Sequence, residues 1–494
     1  MPYLLLLALF LAFGMEPSQP LQPLTGGALW YSVRATLAFV VLVAVLARGL
    51  GWWGMFQKRK LEQGLPAFPR AYSALALGLD LFCLVAFAAV IHRYEWPRAV
   101  RGLMGGRPHH LVTDALTLLP FVLMQASYWW GLCPVRRPAY GFELESRRPR
   151  VADRALFVWR RARQSFGLVL PVLILYILLT DLAAWMWPGL LTGRWGLPIE
   201  ALTMAALVLC LSPYFIRLAW PTSSLPRGAL RTRLENQARR LGFRCADILV
   251  WDTEYRVVNA CVTGSLPGLR YVLLTDGMIQ SLSEDEIAAV FGHEIGHIAH
   301  RHLLFFGFFF LGSFGVLALL SNWLDPSLAW MAQALGNVLH SSLPLAIEGE
   351  GVLILSALYF LVVFGFLSRR FERQADVYGC RSVSCGQHEC PPHHEVEGPS
   401  NGLTGPCPIG IRIFTNALLG VAAHNGIERR KRSWRHGSIE RRIQFLEGLE
   451  GRPEAVAHFE RGVSRLRAVV SIGLITALVW AFSGGTLDAL FSMR

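Results

Sequence analysis

Apolar residues gather in long runs at 3–14, 30–50, 72–92, 111–132, 166–187, 201–220, 303–320, 351–367 and 468–491. Most approach or reach the roughly 17–25 residues that an α-helix needs to cross a hydrocarbon core. The pattern predicts eight or nine membrane spans, the count turning on the short first run. No basic segment precedes that run, so it reads either as a span or as a cleaved signal. One region breaks the pattern. Residues 227–241 (RGALRTRLENQARRL) alternate at helical period, and 248–251, 257–262 and 271–275 are short runs parted by turn residues, which predicts a small sheet. Asp276-Gly277 reads as a turn, and Ser283-Glu284-Asp285-Glu286 as a capping box opening a helix at about residue 284. Residues 411–424 predict another helix, closed by Asn425-Gly426. The expected fold is mainly α, a polytopic helical membrane protein that holds a domain with a small β-sheet.

Composition sharpens this picture. With 53% apolar and 16% charged residues and a mean hydropathy of +0.40, the chain is not a soluble enzyme on one anchor. The net charge of +13 sits mostly in short loops beside the apolar runs. Arg136, Arg137, Arg147, Arg148, Arg150, Arg154, Arg160, Arg161 and Arg163 place the 133–165 loop in the cytoplasm by the positive-inside rule. Lys58, Arg59 and Lys60 agree, whereas Arg93, Arg98, Arg101 and Arg107 do not. The 321–349 loop has no Lys or Arg, so it is expected outside and the segments flanking 303–367 inside. Such a distribution speaks for topology and for contact with anionic membrane lipid, notably along Glu428–Arg442, and against nucleic-acid binding.

The predicted helix from residue 284 carries His293-Glu294-Ile295-Gly296-His297. Positions i and i+4 share a helix face, so His293 and His297 can offer two imidazole nitrogens to one tetrahedral zinc ion. Glu294 lies beside them, placed to take a proton from a zinc-bound water whose pKa the metal lowers to about 7. HExxH alone is a weak pattern, since a plain structural helix can carry two histidines. Gly296, poor in a helix interior, suggests a close approach to the backbone. Glu372 and Asp376, also i and i+4, lie beyond two apolar runs that return the chain to the side it left. Glu372 can then complete a gluzincin site as third ligand, with Asp376 orienting a ligand histidine. His300 could reach the same face; Glu372 is preferred, leaving His300 and His302 as polar residues near the membrane surface.

Taken together these motifs resemble the membrane zinc metallopeptidases that include the type I CAAX prenyl endopeptidases and the HtpX-like proteases. Asn259-Ala260 with Gly264, the HExxH extended by His302, the ExxxD of Glu372 and Asp376, and His436 with Arg442 follow that family's pattern over roughly residues 225–450. Gly437 stands where the family has proline. The resemblance implies a gluzincin-type endopeptidase with one zinc per chain, which takes a peptide or membrane-protein segment as an added strand beside Asn259. It further implies that His436 and Arg442 contact the substrate carbonyl or the developing oxyanion.

A division follows: 1–222 as a multi-span region, 223–302 as the first part of the protease domain, 303–367 as a helix pair, 368–467 as the second part, and 468–494 as a last span. Cys380, Cys385, Cys390 and Cys407 alternate with His388, His393 and His394 in a Pro- and Gly-rich insertion at 380–408, open to reading as a second metal site or as a plain insertion. Arg34, Asp80, Asp181 and Arg217 inside spans suggest helix–helix hydrogen bonds or a wet chamber more than transport. The enzyme is expected in a bacterial inner membrane with its site toward the cytoplasm. A sensor-transducer protease and a non-catalytic scaffold or transporter are the competing readings.

Overall fold

The computed structural model describes chiefly residues 22–63, 69–105, 110–136, 151–187, 196–317, 358–385 and 405–483. Most of the 3–14 run, the 321–349 loop, and Cys390 with His388, His393 and His394 lie outside the described residues. The chain forms two compact units, divided after Trp220.

The first unit is helical throughout: α1 (Gly26–Glu62), α2 (Pro69–His92), α3 (Trp96–Leu103), α4 (His110–Arg136), α5 (Val151–Phe166), α6 (Leu170–Met186) and α7 (Gly196–Ala219). Among the described residues of the whole chain, four helices are long and apolar enough to cross a membrane, and up to seven if each bent pair counts as one span. Between α1 and α4 the backbones nearly touch. A Cβ on Gly131 would stand 2.5 Å from the carbonyl carbon of Ala47, the close approach that small residues permit between membrane helices. Asp80 of α2 accepts a hydrogen bond from Gln125 Nε2 of α4 at 3.0 Å, so this intramembrane carboxylate serves helix association.

The second unit is built on a four-stranded sheet in the order β1-β2-β4-β3: β1 (Thr222–Ser224), β2 (Asp247–Trp251), β3 (Ala260–Thr263) and β4 (Tyr271–Thr275). β2 and β4 run parallel, while β1 and β3 join antiparallel as the two edges. The parallel pair requires a crossover, and β4, buried along its whole length, is the sheet's hydrophobic spine. Residue 257 does not begin a strand as the apolar run suggested; pairing starts at Ala260. Asp276-Gly277 opens a helix, α9 (Asp276–Ser281), because the Thr275 side chain accepts from Met278 N and caps it. α8 (Ala229–Arg240) and α10 (Glu284–Ala299) pack with the sheet in one apolar core.

α10 begins where the capping box predicted. Ser283 Oγ accepts from Glu286 N at 3.3 Å, and Glu286 Oε2 accepts from Ser283 N at 2.9 Å. The chain continues into the apolar helix α11 (His302–Leu317), bent by 45° from α10. It re-enters the described structure at residue 358 and reaches α12 (Gly365–Ser382) through a π turn at Phe360–Phe364. α13 (Pro408–His424), α14 (Ile439–Glu447) and the long α15 (Pro453–Ser483) complete the unit. Cys380 is buried in the core, and Cys407 caps α13 by accepting from Gly410 N, so two of the clustered cysteines have structural positions.

Candidate metal centre and active site

α10 and α12 lie backbone to backbone because glycine faces the contact. A Cβ at Gly296 would stand 2.9 Å from Tyr378 Cβ and 3.2 Å from Ala375 Cα, and one at Gly379 would stand 2.9 Å from the Ala289 carbonyl oxygen. The close approach suggested by Gly296 is therefore that of the helix carrying Glu372 and Asp376. Gly296→Val is expected to cost about 1–3 kcal/mol by overpacking this seam, read as a lower melting temperature of the detergent-solubilised protein.

At the seam His293, His297 and Glu372 bring one ligand atom each within 4.8 Å of one another. The two Nε2 atoms are 3.2 Å apart, and each lies 3.8 Å from a Glu372 carboxylate oxygen. Ligand atoms of a tetrahedral zinc with bonds near 2.0–2.1 Å are about 3.3–3.4 Å apart, so the cluster has nearly the edge lengths of such a site. The groups behind the rings decide which nitrogens are bare. His293 Nδ1 stands 3.0 Å from Asp376 Oδ1, an acceptor, so the proton belongs on Nδ1. Arg442 grips the same carboxylate with Nε at 2.8 Å from Oδ2 and Nη2 on Oδ1.

His297 is oriented by a second chain of hydrogen bonds. The Gln374 amide nitrogen donates to the Glu460 carboxylate, which leaves Gln374 Oε1 to face His302 Nε2 at 3.0 Å. That oxygen only accepts, so His302 carries its proton on Nε2 and presents a bare Nδ1 to His297 Nδ1, 3.0 Å away. His297 must then be protonated on Nδ1 and bare on Nε2. Two imidazole lone pairs and a carboxylate thus converge on one point, an arrangement that repels itself unless a cation sits there. The donor set fits a divalent metal.

His302 is therefore not a polar residue at the membrane surface. It is buried and stacked on Phe371 at 4.3 Å between ring centroids. The position depends on Arg301, whose φ of +56° breaks the helix between α10 and α11 and turns His302 back toward His297. An i, i+5 pair does not meet on a continuous helix, and for that reason periodicity gave no sign of the contact.

Glu294 sits on the sheet side of α10. Its Oε2 accepts from Val262 N at 3.0 Å, which ties the edge strand β3 to the helix. Burial pushes its carboxyl up to about 7. Glu372 is held below the usual carboxylate range: burial opposes its ionisation, but the His436 hydrogen bond and the charge of Arg442 outweigh it. For Asp376 the Arg442 guanidinium likewise outweighs burial and lowers the pKa.

The remaining expected residues divide. His436 is half exposed and places Nδ1 2.9 Å from Glu372 Oε1. Its loop is closed by reciprocal backbone hydrogen bonds between Ser433 and Gly437, at 3.0 and 2.9 Å. Gly437 has φ +77°, which the ring of proline cannot take, so the glycine at this position belongs to the loop's conformation. Arg442, expected to contact substrate, is instead 9% exposed and engaged by Asp376, with Glu372 Oε2 at 3.8 Å. It acts behind the carboxylates, because a desolvated guanidinium needs the ionised partner that Asp376 offers. Asn259 is exposed at the start of β3, its backbone paired with Thr275.

A family model described as Peptidase family M48 matches residues 224–390, which includes His293, His297, Glu372 and Asp376 and ends before His436. Over those residues the chain is similar to the M48 peptidases. Similar proteins include one named Protease HtpX homolog from Aeropyrum pernix, 25% identical over 317 residues that cover 58% of this chain and 97% of that one. A Protease HtpX homolog from Archaeoglobus fulgidus is 28% identical over 48% of this chain and 66% of its own length. Protease HtpX from Stenotrophomonas maltophilia is 31% identical over 29% of this chain and 44% of its own length. The crystal structure of S. mikatae Ste24p covers 87% of this chain and 100% of that one, with a TM-score of 0.43 and 16% identity. The family model and these relatives bear out the resemblance read from the sequence to membrane metallopeptidases, and the apolar helices make this a multi-pass membrane protein.

Proposed function

We propose that the chain is an integral-membrane zinc endopeptidase that hydrolyses peptide bonds at the cytoplasmic face. The observation that carries this reading is the convergence of two bare imidazole nitrogens and the Glu372 carboxylate beside Glu294 and the edge strand β3. His293, His297 and Glu372 would hold the metal, whose role when bound is to polarise the scissile carbonyl and acidify the attacking water. Glu294 takes the proton from that water and passes it to the leaving amine, and its buried, near-neutral carboxyl suits both halves of the task. The substrate, a peptide or a segment of a membrane protein, adds as a strand along β3, with Asn259 at the strand's start. Such a strand passes over Glu294, because Val262 N already points from β3 to that carboxylate. His436, exposed on one side and against Glu372 on the other, donates to the carbonyl oxygen as charge develops, a type of contact worth about 2.7–4 kcal/mol. Asp376 and Arg442 hold His293, and His302 with Gln374 holds His297.

Two outcomes check this scheme. The detergent-purified protein should contain one zinc per chain and cleave an internally quenched peptide; a chelator should abolish cleavage and added zinc restore it. Full cleavage by the metal-stripped protein would sink the proposal. Gln374→Leu, which breaks the chain behind His297, should weaken zinc binding about 10–100-fold with little change in fold, measured by competition with a chromogenic chelator. Unchanged affinity would reduce the His302–Gln374 chain to packing.

A further inference from the structure

A second feature of the peptidase unit is not used by this chemistry. Beside the metal centre lies a cavity of about 440 Å³. Arg369, Arg370, Arg373, Arg432 and Arg441 wall it, with Trp434 among them and no carboxylate in the lining. Among the described residues none of these five arginines has a carboxylate within ion-pair distance. Cations gathered this closely without counter-charge are unfavourable unless an anion joins them.

The chain leading into the cavity indicates which anion. Leu358, Leu361, Val362 and Phe366 are exposed along one face of the helical segment that precedes Arg369. This is an apolar stripe at helical spacing, formed by the end of the 351–367 run. It passes directly into Arg369, Arg370 and Arg373 one and two turns on. Arg370 lies over the Phe366 ring at 5.4 Å, and Arg369 Nη1 donates to the Trp434 carbonyl at 2.6 Å, which fixes the cavity wall. Trp434 packs on Phe364 with ring centroids 5.6 Å apart, an aromatic pair at the level where apolar surface gives way to charge. An acyl chain against the stripe puts its headgroup among the arginines, whose planar donors match a phosphate.

We propose that this cavity binds the phosphate headgroup of an anionic membrane lipid. The inference goes beyond the proteolytic reading and needs no metal, since the lining arginines bind without turnover. His436 and Arg442 also line the cavity, so a headgroup there rests against the loop that carries His436. Lipid composition becomes an input to the active site without any separate regulatory domain.

The test compares two triple variants that remove equal charge. Arg370→Gln, Arg373→Gln and Arg432→Gln remove three of the cavity's cations; Arg429→Gln, Lys431→Gln and Arg435→Gln remove three from neighbouring positions outside its lining. Delipidated full-length protein in a neutral detergent is titrated with short-chain phosphatidylglycerol, phosphatidylcholine, inorganic phosphate and an acidic hexapeptide, and bound ligand is counted by native mass spectrometry. The expected result is one saturable equivalent of phosphatidylglycerol on the unmodified protein, with phosphatidylcholine and phosphate at least about tenfold weaker. The cavity variant should lose about tenfold or more in affinity, while the outer variant stays within about twofold. Equal losses in the two variants would mean diffuse attraction and overturn the site. Phosphate binding as tightly as the lipid, or the peptide displacing it, would overturn the lipid assignment in favour of a free anion or an acidic substrate. Should the cavity variant fail to fold, the unmodified protein still decides: equal affinity for phosphatidylglycerol and phosphatidylcholine refutes the proposal.

Discussion

Glu294→Gln is expected to lower peptide hydrolysis about 10²- to 10⁴-fold and to leave zinc binding intact. Glutamine keeps the shape of the side chain and an oxygen to accept from Val262 N, so the tie between α10 and β3 persists. It removes only the capacity to carry a proton. Glu294 is also no part of the convergent ligand set of His293, His297 and Glu372. Glu372→Ala should behave in the opposite sense: it deletes the one anionic ligand, and zinc content should fall with activity. Measuring metal per chain and kcat on the same preparations separates the two roles. A Glu294→Gln protein retaining more than about a tenth of the activity would place the base elsewhere.

The second large effect is on stability. Arg442→Met should destabilise the metal-free protein by about 3–5 kcal/mol, because Asp376, fully buried, loses the guanidinium that keeps its charge tolerable. Arg442→Lys should rescue little, since an ammonium cannot reproduce the two-point grip on Oδ1 and Oδ2. Pairing Arg442→Met with Asp376→Leu should restore much of the loss, an apolar pair being an adequate substitute for a buried ion pair. Denaturation of the unmodified protein, Arg442→Met, Asp376→Leu and the pair in one detergent gives the cycle. If the single substitution costs less than about 1 kcal/mol, Arg442 is a surface charge in function as well as in sequence.

That last contrast shows where the sequence was legible. Arg442 lies in a basic run with Arg429, Arg430, Lys431, Arg432, Arg435 and Arg441, and nothing local distinguishes it. Its partner is 66 residues away, so only the tertiary fold reveals that this arginine alone is drawn inward. The start of α10 was legible because a capping box is a local device, and the pairing of HExxH with ExxxD because both follow helical period. The described apolar helices follow their runs for the same reason. His302 escaped because its contact with His297 needs the left-handed backbone at Arg301, a conformation few side chains announce. β1 escaped because three residues carry no periodicity, and its existence depends on β2 lying alongside. Gly437 looked like a weakened motif; its φ shows a different loop with its own requirement.

The segment between Ser384 and Cys407 leaves and returns at almost one point. Ser384 Oγ accepts from Cys407 N at 3.0 Å and donates to the Cys380 carbonyl at 2.7 Å, while a Cβ at Gly410 would stand 2.3 Å from Ser384 Oγ. Among the described residues the neck is held by the ends of α12 and α13. Closing a loop across such a neck grows more expensive by only about 0.6 kcal/mol for each doubling of its length. Exchanging the intervening residues for a linker of another length is therefore expected to leave the neck's own hydrogen bonds in place.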